Sequence, residues 1–355
     1  MREPAPLRIR RPTPRDEGYR WPAEWERHEG TWLAWPHDTE TWGGVLDDVE
    51  DAFTLFAWAV GRRETVHVLV KDAATERRVD ARLEAAVVSR YELHRVATVD
   101  AWIRDYGPVV VARGRGKARE RLALDFTFNA WGGKYPELAQ DDAVPGRLKR
   151  VHGLPTRKTG LVLEGGSIDG NGKGTLLTTE QCLLHPNRNP GLLRAEIEAH
   201  LRAWLGVRHV LWLGEGIVGD DTDGHVDDVT RFVNPTTVVT AVEDDPRDAN
   251  HAPLRDNLRR LRAMADQDGN PLEIVTLPMP PAVFARDGRR LPASYANFYV
   301  ANGVVVVPTF GHTNDAKALR TLRRCFPTRE VVGIRCEKVV EGLGALHCLS
   351  HQLPA

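Results

Sequence analysis

The spacing of apolar residues predicts strands and helices that alternate along the chain. Apolar positions three and four apart predict a helix over residues 46–60, after a strand-like segment that ends near Pro36. A run of β-branched residues predicts a strand over 66–70, and helix-forming composition predicts a second helix over 73–88. This alternation is typical of an α/β protein.

A unit of hairpin, helix and strand then recurs along the rest of the sequence. The segment over 161–177 predicts one such hairpin, with a glycine-rich turn, GNGKG. Polar residues open the repeated units at spacings of 59, 61 and 72 residues: Asp105, Glu164, His225 and about Asn297. A repeat of this period favours a closed, propeller-like array of modules that brings the same strand end of each unit to one central place. An ordinary α/β sheet with coincidental spacing is the alternative.

Composition and charge are those of an ordinary globular protein. The chain of 355 residues is 42% hydrophobic and 27% charged, and its net charge of −1 argues against nucleic acid or an acidic lipid surface as a partner. No apolar run approaches the roughly 20 residues of a membrane span, and the start lacks the apolar core of a secretion signal. The four cysteines show no metal-type spacing, and because no export signal is visible we expect reduced thiols in a cytoplasmic protein. We expect residues 1–20 to be a loose tail and residues 21–355 to form a single domain.

The segment GLGALHCLSHQ, near the C-terminus, contains the candidate nucleophile Cys348. Its glycines allow backbone to approach a small ligand. A free thiol with a pKa of about 8.5 is mostly protonated at neutral pH, so a nucleophilic role needs a base or a cation elsewhere in the chain. The alternative is that Cys348 is a small buried hydrophobe.

The segment GDDTDGHVDD, over 219–228, packs five aspartates and one histidine into ten residues. His225 and Asp227 are two apart and would share a face if a strand has begun there. Such a cluster can bind zinc, manganese or calcium. The spacing fits no EF-hand and the sequence has no HExxH motif, so we expect no metal.

Two further carboxylates lie in glycine-containing loops. Asp105 stands in WIRDYGP and Glu164 in EGGS, and each has an ordinary alternative role, as a turn cap and as a solvated strand end. Carboxylates around a thiol raise its pKa by like-charge repulsion. Carboxylates around a nucleophilic thiol are useful if the substrate is a cation. A guanidinium, for example, pairs with carboxylates through two-pronged hydrogen bonds.

Several segments together resemble one known family. They run in order from about Trp21 to Gln352: WERHEGTWLAWP, WIRDYGP, FNAWGGKY, LEGGSIDGNGKGTLLTTEQCLL, DDTDGHVDDV, ANFYVANGVVVVPTFG and GLGALHC. The sequence resembles the agmatine deiminases of the guanidine-modifying, pentein-fold superfamily, and is also similar to bacterial-type peptidylarginine deiminases. The resemblance implies an α/β-propeller of five ββαβ modules around a pseudo-fivefold axis.

The resemblance also implies a role for each candidate residue. Cys348 would be the nucleophile and His225 the acid and base. Asp105 and Asp227 would hold the guanidinium, and Glu164 would support His225. The implied reaction hydrolyses agmatine to N-carbamoylputrescine and ammonia, through a covalent S-alkylthiouronium on the cysteine, within putrescine and polyamine biosynthesis.

The remaining expectations concern the rest of the substrate. Candidates for binding the far ammonium of agmatine are two tryptophans and an aspartate pair: Trp102, Trp131, Asp220 and Asp221. We expect no cofactor, a small cationic substrate as the partner, and leave open whether the chain forms a homo-oligomer.

Three departures from the family pattern keep other functions open. Leu343 and Ala345 replace a glycine and an asparagine beside the cysteine, and Asp228 replaces an asparagine. One alternative is a deiminase acting on arginine, methylated arginine or peptidyl-arginine. The α-carboxylate of an arginine substrate would need a basic residue to bind it, for which the candidates are Arg104, Lys134 and Arg188. The other alternative is a non-catalytic protein that binds guanidines or polyamines.

Overall fold

Within the described part of the chain, the strands form six small sheets, five of three or four strands and one of two. Several strands, such as TVHVLV and VVVVPT, are rich in valine, a residue favoured in sheets. The computed structural model describes residues 9 and 11–355. In chain order, its strands are β1 His28–Ala34, β2 Thr65–Val70, β3 Tyr91–Arg95, β4 Val109–Arg113, β5 Glu120–Thr127, β6 Thr156–Val162, β7 Asp169–Gly170, β8 Thr175–Thr179, β9 His209–Leu213, β10 Thr230–Phe232, β11 Thr237–Val242, β12 Glu273–Pro278, β13 Val283–Phe284, β14 Arg290–Leu291, β15 Tyr299–Ala301, β16 Val304–Thr309, β17 Glu330–Arg335 and β18 Ser350–Pro354.

Helices connect the strands and cover the sheets. They are α1 Leu46–Gly61, α2 Ala73–Ala85, α3 Ile103–Tyr106, α4 Ala130–Gly133, α5 Val144–His152, α6 Glu180–Leu183, α7 Arg194–Leu205, α8 His251–Arg262 and α9 Thr313–Cys325, with 3₁₀ segments at Gly116–Ala118, Pro136–Ala143, Gly165–Ser167, Val226–Asp228 and Val339–Gly342. Helix α1 packs on β2, β16 and β17. Its Phe53 and Phe56 are buried, and full burial of each such ring contributes about 1.5–3 kcal/mol.

The same connectivity repeats in every sheet of three or four strands. An antiparallel pair is followed by a helix and a third strand parallel to the second, as in β4-β5-β6, β7-β8-β9, β10-β11-β12 and β15-β16-β17. The first sheet takes its antiparallel strand from the far end of the chain and has the order β18-β1-β2-β3. The predicted α/β class is confirmed, and the recurring hairpin, helix and strand are present.

Two local predictions were wrong. The apolar residues at 161–163 do not begin the hairpin, because β6 extends to Val162 and pairs in parallel with β5; the hairpin itself is β7 and β8. His225 and Asp227 do not share a strand face, because β10 begins only at Thr230 and a 3₁₀ turn covers Val226–Asp228.

The expected tail over 1–20 lies partly outside the described residues, which omit 1–8 and 10. Within the described part, Tyr19 is buried against the core and Arg20 pairs with Ala112 in a β-bridge. Glu17 forms an ion pair with Arg157 at 3.1 Å. Among the described residues, no helix combines the length and apolar character needed to cross a membrane.

Candidate active site

Each candidate catalytic residue lies just ahead of the first strand of a module. Asp105 is in α3 before β4, Glu164 precedes β7, Asp227 precedes β10 and Cys348 precedes β18. Cys348, Asp105, Trp102 and Trp131 line a cavity of about 660 Å³. The repeated connectivity therefore brings residues distant in sequence to one place.

The Cys348 thiol is buried and faces carboxylates. Its sulfur lies 3.7 Å from Asp227 Oδ2 and accepts a hydrogen bond of 3.1 Å from Asn297 Nδ2. Burial, reinforced by the carboxylates of Asp227, Asp228 and Asp105, raises the pKa of Cys348 well above its usual value. The thiol is therefore protonated at neutral pH unless a cation enters the site.

Asp105 is held in place by two donors. Its Oδ2 accepts from Trp131 Nε1 and its Oδ1 from the Gly166 backbone N–H, both at 2.9 Å. Trp131 has a φ of +52°, a left-handed conformation that costs a bulky residue of order 1 kcal/mol and here accompanies an indole N–H aimed at Asp105. Burial and the neighbouring Glu164 raise the pKa of Asp105 to about 7.

Asp227 is oriented by a chain of polar contacts behind it. His347 Nδ1 lies 2.7 Å from Asp227 Oδ2, and His347 Nε2 lies 2.8 Å from Glu24 Oε2. Glu24 in turn lies 3.1 Å from Arg231 and 3.4 Å from Arg104. Burial, with Asp105 nearby, raises the pKa of Asp227 well above its usual value.

His225 is buried next to Asp105. Its Nδ1 lies 3.8 Å from Asp105 Oδ1, and its backbone N–H donates to Asp220 at 2.9 Å. Burial and the guanidinium of Arg188 lower the pKa of His225 well below its usual value, so the imidazole is neutral. Gly166 allows this packing, because a Cβ there would come 2.6 Å from His225 Nδ1 and 2.9 Å from Asp105 Oδ1.

Glu164 is fixed by Arg188. The guanidinium donates from Nε to Glu164 Oε1 and from Nη1 to Asp223 Oδ2, both at 2.6 Å. Glu164, Cys182 and His225 present ligand-type atoms within 4.8 Å of one another. Burial raises the pKa of Glu164 despite the pairing with Arg188.

Several buried polar atoms at the site have no hydrogen-bond partner among the described residues. They are Asp227 Oδ1, Glu164 Oε2 and both ring nitrogens of His225. Buried acceptors without a partner are costly and uncommon in folded proteins. A guanidinium carries five N–H donors in one plane and can satisfy such acceptors together.

The predicted ammonium ligands divide into two groups. Trp102, Trp131 and Asp221 line the cavity, and Asp221 Oδ2 accepts from the Tyr135 hydroxyl. Asp220 does not line it: its oxygens accept from the backbone N–H groups of Thr222 and His225, so it fixes the loop that carries His225.

Four further residues of the site had no predicted chemical role: Asn297, His347, Glu24 and Gly166. The repeat spacing pointed to Asn297 as a module opener, and His347 is next to the cysteine. Glu24 gave no usable signal, because its partners lie 80 or more positions away in the chain.

The Cys348 thiol, His225 and the surrounding carboxylates define a class of site whose charge suits a cationic ligand beside a cysteine. The family model for the Porphyromonas-type peptidyl-arginine deiminases matches residues 20–354. The chain belongs to this family.

Several known proteins similar to this chain are described as agmatine deiminases. The chain is 39% identical, over an alignment of 365 residues, to an agmatine deiminase of Ectopseudomonas mendocina (strain ymp), with 97% of each chain covered. A solved agmatine deiminase of Enterococcus faecalis has a TM-score of 0.90 and 34% identity, covering 98% of this chain and 99% of that one. An agmatine deiminase of C. jejuni with substrate bound has a TM-score of 0.85 and 29% identity, covering 95% and 96%.

Proposed function

We propose that this protein is an agmatine deiminase, which hydrolyses agmatine to N-carbamoylputrescine and ammonia. The observation that carries the proposal is the group of unpartnered buried acceptors on Asp227, Glu164 and His225, beside the Cys348 thiol. The similarity to agmatine deiminases over nearly the whole chain supports the same conclusion.

Agmatine enters with its guanidinium first. Asp105 and Asp227 accept its N–H groups, and the bound positive charge compensates the carboxylates that hold the thiol protonated. The substrate cation thereby lowers the pKa of Cys348 within the complex.

The first half of the reaction forms a C–S bond. Cys348 sulfur attacks the guanidinium carbon, and a C–N bond breaks. His225, neutral in the free enzyme, takes the thiol proton and delivers it to the leaving ammonia. The product is a cationic S-alkylthiouronium on Cys348, with the charge of the original guanidinium.

The second half adds water. His225 removes a proton as the water oxygen attacks the thiouronium carbon, and the C–S bond breaks. The thiol is restored, N-carbamoylputrescine leaves, and the second water proton is released to solvent. General acid and base assistance of this kind contributes about 10²–10⁴-fold in rate. The thiol and the water supply the protons and His225 transfers them, so the proposed reaction uses no metal and no cofactor.

Residues 21–355 act as one catalytic domain in this proposal. The five sheets of three or four strands form ββαβ modules around a pseudo-fivefold axis, with the residues ahead of each first strand at the centre. This arrangement is supported by the repeated strand order.

The lining of the cavity favours agmatine over arginine. Seven carboxylate side chains line it against two clearly basic ones, Lys71 and Arg289. The three basic residues considered for an α-carboxylate are engaged elsewhere: Arg188 with Glu164, Lys134 with Asp223, and Arg104 with Gln352. An added carboxylate meets like charge, so we expect kcat/KM for agmatine to exceed that for arginine by at least about 10²-fold.

The test is an ammonia-release assay with agmatine, arginine, dimethylarginine and a blocked arginine peptide. Agmatine should be the preferred substrate, and Cys348→Ser should release no ammonia while retaining its circular dichroism spectrum. Intact-mass measurement of acid-quenched His225→Ala should show an adduct. Arginine at least equal to agmatine contradicts the substrate; no release from any compound favours the binding protein.

A further inference from the structure

A second group of metal-ligand side chains lies outside the cavity, on neighbouring strands of the first sheet. His67 is on β2, and Glu92 and His94 are on β3. The parallel register places Glu92 directly beside His67. Glu92 and His94 are two apart and therefore project from the same face of the sheet.

The three ligand atoms have the mutual spacing of a metal site. His67 Nδ1 is 3.1 Å from His94 Nε2 and 3.5 Å from Glu92 Oε2, and the last two atoms are 3.8 Å apart. A point equidistant from the three lies about 2.0 Å from each, in agreement with zinc bond lengths of about 2.0–2.2 Å to nitrogen and oxygen.

The imidazoles are held in position before any ion binds. Trp32 packs against both, with ring centroids 4.6 Å from His67 and 5.5 Å from His94. Gly30 leaves room for the His67 ring, because a Cβ there would come 2.8 Å from His67 Nε2. The Glu92 side chain is 61% exposed, so one side of the group is open to an ion and to a water ligand.

We propose that His67, Glu92 and His94 bind a divalent transition-metal ion, with Zn²⁺ as the best match. Two imidazoles and one carboxylate form a ligand set that zinc accepts, with an open fourth position for water. The imidazoles are mostly neutral above pH 7 and can therefore coordinate. None of the three residues lines the catalytic cavity.

A metal ion at this site would affect the stability of the fold and not the catalysed reaction. Strand β3 forms an edge of its sheet, next to β2. A metal bound between the two strands attaches this edge to its neighbour, and any ion that binds the folded state preferentially raises its stability. The inference does not rest on the deiminase proposal.

The test titrates Zn²⁺, and separately Co²⁺, into chelator-treated full-length protein at about pH 7.5. Wild type should bind one equivalent of zinc at this site and gain thermal stability. His94→Ala and the exposed Glu92→Gln should each lower zinc affinity, by at least about 10-fold for the second. His209→Ala, which removes a half-buried histidine at the start of β9, is the matched control and should match wild type.

Cobalt distinguishes this group from the buried Glu164, Cys182 and His225 cluster. A nitrogen and oxygen site gives visible ligand-field bands without a thiolate charge-transfer band, and binding should survive in Cys182→Ala. Three results would overturn the proposal: no zinc binding by wild type, equal binding by wild type and His94→Ala, or a thiolate band accounting for all bound cobalt. Ammonia release should be unchanged in Glu92→Gln.

Discussion

At the scale of single residues, the substrate-free site keeps its groups in protonation states that do not favour the proposed chemistry. Burial and three aspartates raise the pKa of Cys348, while burial keeps His225 neutral. The same aspartates are the groups that a guanidinium would neutralise. The thiol is therefore protected as long as the site is empty of substrate, and becomes reactive only beside a cation.

The raised pKa of Asp105 predicts pH-dependent binding. With a pKa of about 7, Asp105 is protonated below that pH and ionised above it, so a cation binds better as pH rises. Agmatine affinity, measured by calorimetry in Cys348→Ser, should fall up to tenfold per unit as pH drops from about 7 to 5. Proton release on binding should accompany the change. An affinity that stays constant across this range would contradict the role of Asp105.

Gly166 is predicted to be indispensable for activity. In Gly166→Ala the new methyl group meets His225 and Asp105 at less than 3 Å, so at least one of them must move. Displacements near 1 Å at a reacting centre cost roughly 10²-fold, and kcat/KM for agmatine should fall by at least that factor. Gly146→Ala, in helix α5 with no atom near the added Cβ, should keep full activity. Near-normal turnover by Gly166→Ala would show that His225 and Asp105 can move to accommodate the methyl group without loss of activity.

At the scale of elements, the site is built from loops that precede first strands. Asn297, just ahead of β15, connects two such loops: its Oδ1 accepts from the His347 backbone N–H at 2.9 Å, and its Nδ2 donates to Asp228 at 3.0 Å and to the Cys348 sulfur at 3.1 Å. One amide thus fixes the nucleophile loop and supplies the sulfur with a donor.

Asn297→Asp should lower the reactivity of the Cys348 thiol. The change removes the N–H donor and adds a carboxylate beside Asp228, and a hydrogen bond to a charged group contributes about 1.5–3 kcal/mol. Alkylation of Cys348 by iodoacetamide and ammonia release should both fall at least about tenfold. Asn314→Asp places the same charge at the start of α9, outside the cavity, as the control. An unchanged alkylation rate in Asn297→Asp would contradict the role of Asn297 as a hydrogen-bond donor to the Cys348 sulfur.

The order of strands and helices could largely be predicted from the sequence. The contacts that position the site residues could not. Local patterns predict α1, β2 and the hairpins because side-chain spacing and turn residues act within a few positions. The contact between His347 and Glu24 joins residues 323 apart, and no local pattern encodes it. The expectation that His225 and Asp227 share a strand face failed for a related reason, since a 3₁₀ turn and not a strand carries Asp227.

At the scale of the whole molecule, charge is unevenly distributed. The net charge is −1, yet the residues that line the cavity include seven carboxylates, among them Glu137, Asp221 and Glu341, and only two clearly basic side chains. A concave acidic surface concentrates field lines and attracts cations, whereas the protein as a whole does not.

Salt should therefore weaken capture of agmatine more than turnover. Raising ionic strength from about 0.05 to 0.5 M shortens the screening length and should lower kcat/KM several-fold with little change in kcat. Glu137→Gln should show a smaller salt effect, because it removes one of the lining charges. Salt independence in wild type would mean that the acidic lining does not steer the substrate.

The pairing of β18 with β1 has a consequence during synthesis on the ribosome. Trp32 faces His351 in this pair, so the two strands leave the ribosome more than 300 residues apart. At roughly 5–20 residues per second, β1 waits about 15–60 s with one edge unpaired. An open strand edge invites pairing with other nascent chains. The nucleophile loop, which β18 follows directly, is completed only when that edge is closed, so no nascent chain that stops before β18 carries an assembled thiol site.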